Sequence, residues 1–332
     1  MLKIQDFSLR LRATDGRLLP VLENISLEVP AGRCLGIAGE SGSGKSVLAM
    51  NIAGLFPEAV VSARSGQIEF AGQTLTGADE ATWQKFRGRR IGFIFQEPMT
   101  AMNPLMTLYD QISETVYAHE AKAAREQVDE KVRRALLRAG FSDPDRFLHS
   151  YPHQLSGGMR QRAMIAMALV MEPDLIIADE PTTAIDAELQ VQLLAELRAQ
   201  IENEGRTMIF ISHDLGVIRA VSDHLAVFYC GCLVENGETR QILAAPAHPY
   251  TADLVAALPR LIPERKLPVA IPGSLPAPDR KPSGCVYSDR CRFAQEKCRR
   301  ERPGSESLPD GRKVACFYPL KNEVGSSSVA KA

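Results

Sequence analysis

The sequence lacks any long hydrophobic run. Its longest nearly unbroken apolar segment, Leu225 to Val234, is about half of the roughly 20 residues that a helix needs to cross a bilayer. The first residues, MLKIQDFSLRLR, also lack the apolar core and the small-residue cleavage site of a secretory signal. We therefore expect a cytosolic chain that does not cross a membrane by itself.

A strong net charge is also missing. The 332 residues include 39 basic and 40 acidic side chains, for a formal charge of −1, which argues against binding a nucleic-acid backbone over the whole surface. Hydrophobic residues make up 45% and charged residues 24%, as in ordinary globular proteins rather than disordered ones. The length suggests about two structural units, and no internal repeat is visible.

Apolar patterns divide the chain into regions. In the first 40 residues apolar and polar side chains alternate in IQDFSLRL and VLENISLEV, which predicts two strands. A more continuous apolar segment, CLGIAG, follows. Residues 98–150 have helical periodicity, and from 156 to 234 helices alternate with short apolar strands, which favours a mainly parallel sheet covered by helices. After about residue 241 prolines recur, which suits a semi-extended linker better than a packed helix.

A glycine-rich loop between an apolar strand and a predicted helix matches G-x-x-x-x-G-K-[ST]. Its glycines allow backbone N–H groups to surround phosphates, the helix N-terminus adds its positive dipole, a lysine neutralises phosphate charge and a final serine can bind Mg²⁺. The residues assigned to binding the phosphates of a nucleotide here are Gly39, Ser41, Gly42, Ser43, Gly44, Lys45 and Ser46.

Two further segments carry the chemistry of a nucleotide site. Asp179 and Glu180 follow the apolar strand LIIA, where one carboxylate can hold Mg²⁺ and the other can polarise the attacking water. Without the phosphate loop, two solvated acids before a turn would be the better interpretation. In LSGGMRQ, Ser156 is a natural N-cap and two glycines leave amides exposed, so this helix start is a second anion-binding site, or simply a capped helix.

Taken together, the phosphate loop, LSGGMRQ, DLIIADE, PTTAID, IFQEP and ISHD resemble ATP-binding cassette (ABC) proteins in order and spacing over residues 1 to about 240. The resemblance implies an α/β fold: an ABC-type P-loop ATPase core with a β-rich edge subdomain and a helical insertion at about 97–158. It also implies that two such domains face head to tail around two ATP molecules.

Carried over residue by residue, the resemblance assigns specific roles. Glu180 is the implied catalytic base, His213 contacts the γ-phosphate, and Gln96 senses Mg²⁺ and water. Mg²⁺ would be held by Ser46, Gln96 and Asp179, and Asp186 would lie at the subunit seam. The nucleotide held by the facing subunit would be contacted by Ser156, Gly157, Gly158 and Gln161.

Four of the seven cysteines lie near the end of the chain, in the spacing C-x5-C-x6-C-x17-C: Cys285, Cys291, Cys298 and Cys316. Four thiolates suit zinc or an iron–sulfur cluster, while free buried thiols are the alternative. Residues 281–302 carry seven basic and three acidic side chains, which suggests a nucleic-acid-binding knuckle or, better, a solvated basic face. The segment HPYT followed by GC-x5-C resembles the C-terminal extension of the dipeptide, oligopeptide and nickel ABC importers, which implies a four-iron four-sulfur cluster.

The resemblance thus predicts an ATP-hydrolysing subunit that powers import of short peptides or related small ligands. Its domains would be the ATPase at 1–240, an irregular cysteine-containing extension at 241–320 and a flexible tail at 321–332. Its partners would be a second, homologous ATPase chain, two transmembrane permease subunits and, through them, an extracytoplasmic binding protein, with no nucleic acid. It would lie on the cytoplasmic face of the bacterial inner membrane. The alternative is an ABC ATPase that acts on nucleic acid or ribosomes; the absence of tandem phosphate loops and long heptads weighs against it.

Overall fold

The computed structural model describes residues 1–182, 187–258 and 271–320. The strands are β1 (Leu2–Arg12), β2 (Leu18–Val29), β3 (Cys34–Ala38), β4 (Val61–Phe70), β5 (Gln73–Thr74), β6 (Ile91–Ile94), β7 (Leu175–Asp179), β8 (Thr207–Ile211), β9 (His224–Tyr229), β10 (Cys232–Glu238), β11 (Glu306–Ser307) and β12 (Lys313–Val314). The helices are α1 (Lys45–Ile52), α2 (Glu80–Phe86), α3 (Pro98–Ala101), α4 (Leu108–His119), α5 (Arg125–Arg138), α6 (Gly157–Leu169), α7 (Ala187–Glu202), α8 (Leu215–Val221), α9 (Thr239–Ala244), α10 (Pro249–Ala256) and α11 (Glu296–Arg300).

The first sheet is antiparallel, in the order β2-β1-β4-β5. Along β1 the buried side chains begin with Leu2 and Ile4, and the register shifts around Asp6, whose φ is 48°. This bulge inserts one residue, so that Phe7 and Leu9 also lie inside. The strand therefore keeps one apolar face over its whole length.

The second sheet carries the site. Its order is β11-β12-β10-β9-β3-β8-β7-β6; the five strands from β9 to β6 run parallel, and β10, β12 and β11 form an antiparallel edge. Consecutive residues such as Ile176 and Ile177 belong to different core clusters, one on each face of the sheet. Burial on both faces explains the continuous apolar runs that the sequence shows in these strands.

Helices α3 to α5 connect β6 to the loop before α6 and form the helical region that the sequence predicts. Helix α4 begins at a capping box, in which the Thr107 hydroxyl accepts from the Asp110 N–H and the Asp110 carboxylate accepts from the Thr107 N–H. The helix packs through Leu108, Ile112 and Val116 into the same core as the parallel sheet. No helix among the described residues is long and apolar enough to span a membrane.

The region after residue 241 differs from the predicted semi-extended linker, because it contains α9 and α10. Pro249 occupies the first turn of α10, where its missing N–H is no loss, and the His248 side chain caps this helix by accepting from the Tyr250 N–H at 3.1 Å. Strand β12 joins the central sheet by pairing with β10. The predicted tail, 321–332, and part of the proline-rich segment, 259–270, lie outside the described residues.

Candidate nucleotide site

The predicted phosphate loop lies between the end of β3 and the start of α1, at the carboxyl edge of the parallel strands. Two of its glycines have backbone angles that other residues avoid: φ is 149° at Gly39 and 99° at Gly44. A Cβ at Gly39 would also come within 2.2 Å of the Phe228 carbonyl oxygen. The loop therefore requires glycine at position 39 for both its curvature and its packing on β9.

Lys45 lies inside the curve of this loop. Its Nζ donates hydrogen bonds to the carbonyl oxygens of Gly39, at 2.9 Å, and Glu40, at 3.0 Å. The residue is almost completely buried, and burial lowers the pKa of its ammonium group, an effect that the carboxylates of Glu180, Asp179 and Glu40 oppose. The ammonium is thus held where incoming phosphate oxygens can replace the two carbonyl partners.

A magnesium ion fits the groups around Asp179. Oδ1 of Asp179 is buried and has no hydrogen-bond partner within the described ranges, and the same is true of the Ser43 hydroxyl. Burial raises the pKa of Asp179 above its ordinary value, and a hydrogen bond with the Ser46 side chain partly offsets this. A buried carboxylate oxygen without a partner, next to a hydroxyl, provides the hard oxygen ligands that Mg²⁺ prefers.

The three predicted catalytic side chains meet at one carboxylate. The Gln96 amide donates from Nε2 to Oε2 of Glu180 at 3.0 Å, and Nδ1 of His213 lies 3.3 Å from the same oxygen. Glu180 directly follows β7 with φ at 48°, and its N–H donates to the Ile211 carbonyl at the end of β8. The carboxylate thus meets residues that follow β6 and β8, the strands on either side of β7.

The second predicted anion site is at the start of α6. Ser156 caps this helix by accepting from the Met159 N–H at 3.3 Å, and Ser156 and Gly157 are exposed. Gln161 is instead buried, and its Nε2 has no partner among the residues with described positions. No hydrogen bond between described residues joins this loop to the phosphate loop. Asp186, the predicted seam residue, lies outside the described residues.

Comparison with known proteins gives the family. Residues 22–183 match the family described as ABC transporter, and residues 234–298 match the one described as oligopeptide/dipeptide transporter, C-terminal region. The oligopeptide transport ATP-binding protein AppD of Bacillus subtilis is 38% identical over 299 residues, which cover 90% of this chain and 91% of AppD. The dipeptide transport ATP-binding protein DppD of Escherichia coli is 40% identical over 303 residues, covering 90% of this chain and 91% of DppD.

This chain belongs to the family of ABC transporter ATP-binding proteins. A solved dimeric structure of MJ0796, a bacterial ABC transporter cassette, superposes with a TM-score of 0.65 at 26% identity and covers 72% of this chain and 99% of the cassette. The predicted ABC ATPase fold is confirmed, as is the resemblance to the oligopeptide and dipeptide branch. The chain is accordingly an ATP hydrolase of the ABC class.

The predicted iron–sulfur cluster of this ABC protein, and zinc as its alternative, are wrong. Cys285, Cys291, Cys298 and Cys316 line one small cavity as free thiols, but the described residues contain no group of three or more His, Cys, Asp or Glu that could hold a metal ion. Burial raises the pKa of three of these thiols, that of Cys316 to about 11, so they are protonated near neutral pH. The names of the relatives mention no such cofactor either.

Sequence reasoning missed three residues of this ABC ATPase that shape the phosphate loop. Glu40 occupies a variable position of the loop motif, and both its backbone and its carboxylate are held from the C-terminal region, by Tyr250 and Arg290. Tyr250 does fall within HPYT, but that segment indicates only the family resemblance. No spacing pattern connects Arg290 with Glu40, because 250 positions separate them.

Proposed function

We propose that this ABC ATPase powers the import of short peptides or related small ligands through a separate transmembrane permease. The meeting of Gln96, Glu180 and His213 at one carboxylate oxygen carries the proposal that the chain hydrolyses ATP itself. The transport names of AppD and DppD, with the C-terminal match at residues 234–298, support peptides as the ligands. These names also favour transport over the alternative role on nucleic acid or ribosomes.

In the proposed mechanism the phosphate loop binds the ATP phosphates, and Lys45 neutralises part of their charge. Mg²⁺, held by Ser46 and Asp179 with Gln96 nearby, would add positive charge at the phosphates. Glu180 accepts a proton from the attacking water, and His213, next to the same carboxylate, contacts the γ-phosphate. The distances of 3.0 and 3.3 Å to Oε2 of Glu180 support these roles, since both neighbours can orient that oxygen.

A second ATPase subunit would complete the site. The exposed N-terminus of α6, with Ser156, Gly157 and Gly158, would contact the nucleotide held by a homologous subunit, with Gln161 behind it and Asp186 at the seam. The dimeric state of the MJ0796 cassette supports such an arrangement. ATP binding would close this dimer and hydrolysis would reopen it. We place the ATPase at residues 1–240, with the helical insertion at 97–158, and the extension at 241–320.

The permease would dock beside Gln96. A shallow groove here is lined largely by apolar side chains, among them Phe95, Ala101 and Met164. Leu105, four positions after Ala101 in the sequence, is 85% exposed. Phe95 lines this groove and the next residue, Gln96, hydrogen-bonds Glu180, so an apolar element of the permease bound here would lie one residue away from that hydrogen bond. This location would keep the chain on the cytoplasmic face of a bacterial inner membrane, next to two permease subunits and, beyond them, a substrate-binding protein.

Glu180→Gln tests the catalytic assignment. The amide keeps the shape but cannot accept the proton, so steady-state hydrolysis should fall by at least about 100-fold while Mg-ATP binding persists. Asp174→Asn is the matched control, because Asp174 precedes the same strand at its opposite end and pairs with Arg90 at the surface, so turnover should be retained. Normal turnover of Glu180→Gln would remove Glu180 from its role.

Purification of the chain from detergent-solubilised native membranes tests the transport assignment. Two integral membrane subunits and a second ATPase should be retained and identified by mass spectrometry. Recovery of ribosomal or DNA-associated proteins alone would contradict import and leave only the ATPase activity. Uptake assays with labelled peptides, in cells that lack or carry the chain, then define the ligand.

A further inference from the structure

The phosphate loop contains one acidic residue, Glu40, and its carboxylate is held by a C-terminal arginine. Arg290 donates from Nη1 to Oε2 of Glu40 at 2.6 Å and from Nη2 to Oε1 at 2.9 Å. The Arg290 side chain is only 6% exposed. This is a bidentate pair between two groups largely removed from water, the geometry in which a guanidinium binds a carboxylate most firmly.

Arg290 is itself fixed by its surroundings. Its Nε donates to the Pro272 carbonyl at 2.7 Å, and Nη1 also donates to the Tyr229 hydroxyl at 3.2 Å. The guanidinium carbon lies 5.7 Å from the ring centre of Tyr229 and 5.9 Å from that of Tyr287. The guanidinium is therefore held in place by contacts that do not involve Glu40.

The Glu40 backbone is engaged at both ends as well. Its N–H donates to the Tyr250 hydroxyl at 2.9 Å, and its carbonyl accepts from Nζ of Lys45 at 3.0 Å. The position of Lys45 thus depends on Glu40, whose N–H is held by Tyr250 and whose carboxylate is held by Arg290. Leu275 lies beside the loop, since a Cβ added at Gly42 would be 3.5 Å from its Cδ2.

A carboxylate in a loop that binds phosphates would repel them if it carried an uncompensated charge. The two hydrogen bonds from the Arg290 guanidinium compensate the charge of the Glu40 carboxylate, and the Glu40 side chain is only 26% exposed to solvent. We propose that Arg290 is a positioning residue for nucleotide binding, which holds the phosphate loop in shape and cancels the charge of Glu40. This inference rests on the proposed role of the loop and of Lys45 in binding ATP.

The test compares Mg-ATP binding to the full chain with and without this pair. In Arg290→Gln the loop is held less well and Glu40 is unpaired, so the dissociation constant should rise about tenfold. The maximal rate of hydrolysis at saturating ATP should change little, because ATP itself then orders the loop. Arg290→Lys keeps the charge without the paired hydrogen bonds and should lie between the two.

The double variant Arg290→Gln with Glu40→Gln separates charge from folding. Removal of the unpaired carboxylate should restore binding to within about threefold of the wild type, although the variant lacks both partners. A double variant that binds as weakly as Arg290→Gln, or more weakly, would contradict charge compensation. If Arg290→Gln does not fold, Arg290→Lys tests the two-bond geometry of the pair and Tyr250→Phe tests the hold on the Glu40 N–H, each with a smaller expected rise in the dissociation constant.

Lys281→Gln is the matched control. Lys281 also links the C-terminal region to residues 1–240, the cassette of this chain, by an ion pair with Glu23 at 2.8 Å. The two side chains are 7% and 28% exposed, against 6% and 26% in the Arg290 pair. Because Glu23 lies outside the phosphate loop and also pairs with Arg302, ATP affinity should be unchanged. Equal losses in both variants would make Arg290 an ordinary structural residue.

A further variant distinguishes failure of this inference from failure of the proposed site. Lys45→Ala should lose nearly all Mg-ATP binding if the loop is the nucleotide site. If Lys45→Ala binds as the wild type does, the proposed site is wrong. If Lys45→Ala loses binding while Arg290→Gln retains wild-type affinity and rate, only the role of Arg290 is overturned.

Discussion

The cassette and the C-terminal extension are organised in different ways. In the cassette the site residues follow the ends of adjacent parallel strands, with Gln96 after β6, Glu180 after β7 and His213 after β8. In the extension regular structure is sparse beyond α10: between 271 and 320 it amounts to a helical turn at 278–280, the five-residue α11 and two strands of two residues each.

Long-range ion pairs take the place of regular structure in the extension. Arg290 pairs with Glu40, Arg302 with Glu23 and Arg312 with Glu235, each joining the extension to the cassette. Backbone geometry places the functional groups of the cassette, whereas side-chain pairing places the extension. Short sequence motifs describe the first kind of order well and the second kind poorly.

Arg312→Leu should have the largest effect on stability. Arg312 is 8% exposed and lies 3.3 Å from Glu235, which is completely buried. Removal of the guanidinium leaves a buried carboxylate without its cation, which should lower the free energy of unfolding by about 3 kcal/mol. Chemical denaturation with the fluorescence of the single Trp83, which lies in the cassette, measures the change.

The way in which Arg312→Leu loses stability tests the division into two regions. Because β12 pairs with β10 in the central sheet, the transition reported by Trp83 should shift. An unchanged Trp83 transition, with a separate loss of structure elsewhere, would make the extension an independent unit. Arg300→Leu is the control, since its pair with Glu296 is exposed at 75% and 69% and should contribute no more than about 0.5 kcal/mol.

His248, which lies in the extension, should make the free energy of unfolding depend on pH. The expected change is smaller than that of Arg312→Leu. Burial lowers the pKa of His248 to about 3, so the unfolded chain binds a proton below pH 6.5 that the folded chain does not. Stability is therefore complete above pH 6.5 and decreases as the pH falls toward 3. Between pH 7.5 and pH 5 the loss from this group should be about 2 kcal/mol, measured as the free energy of unfolding.

His248→Asn isolates this contribution, because asparagine can still cap α10. The variant should be less stable than the wild type at pH 7.5, but its free energy of unfolding should decrease less on acidification. Glu235, which accepts from the His248 N–H, has its pKa raised by burial and acts in the opposite direction, but it is present in both proteins. Parallel pH profiles for wild type and variant would show that burial does not lower the pKa of His248.

Leu105→Glu should have the smallest effect on the isolated chain. Leu105 is 85% exposed and lies in the cassette, so the free energy of unfolding should change by less than about 0.5 kcal/mol, and ATP binding should be retained. Purification from membranes should nevertheless recover much less permease. If the permease is recovered in full, the docking surface does not include Leu105.

The cassette could be predicted far better than the extension. The phosphate loop and the strand that ends at Asp179 are local signals, since a few adjacent residues specify both the backbone shape and the chemistry. The cysteine spacing is local as well, but it does not determine how the thiols are arranged in space. The interpretation of Cys285, Cys291, Cys298 and Cys316 as metal ligands failed for that reason.

By itself, the sequence determined the strand, loop and helix that form the phosphate loop and the strand that ends at Asp179, and it predicted which residues carry the chemistry. Only the tertiary structure decided that Gln96 and His213 share one oxygen of Glu180, and that Arg290 compensates Glu40 across 250 positions. The physical reason is one of range. Hydrophobic periodicity and glycine conformation act over a few residues, whereas an ion pair depends on where separate elements meet, and packing of the whole chain sets that position.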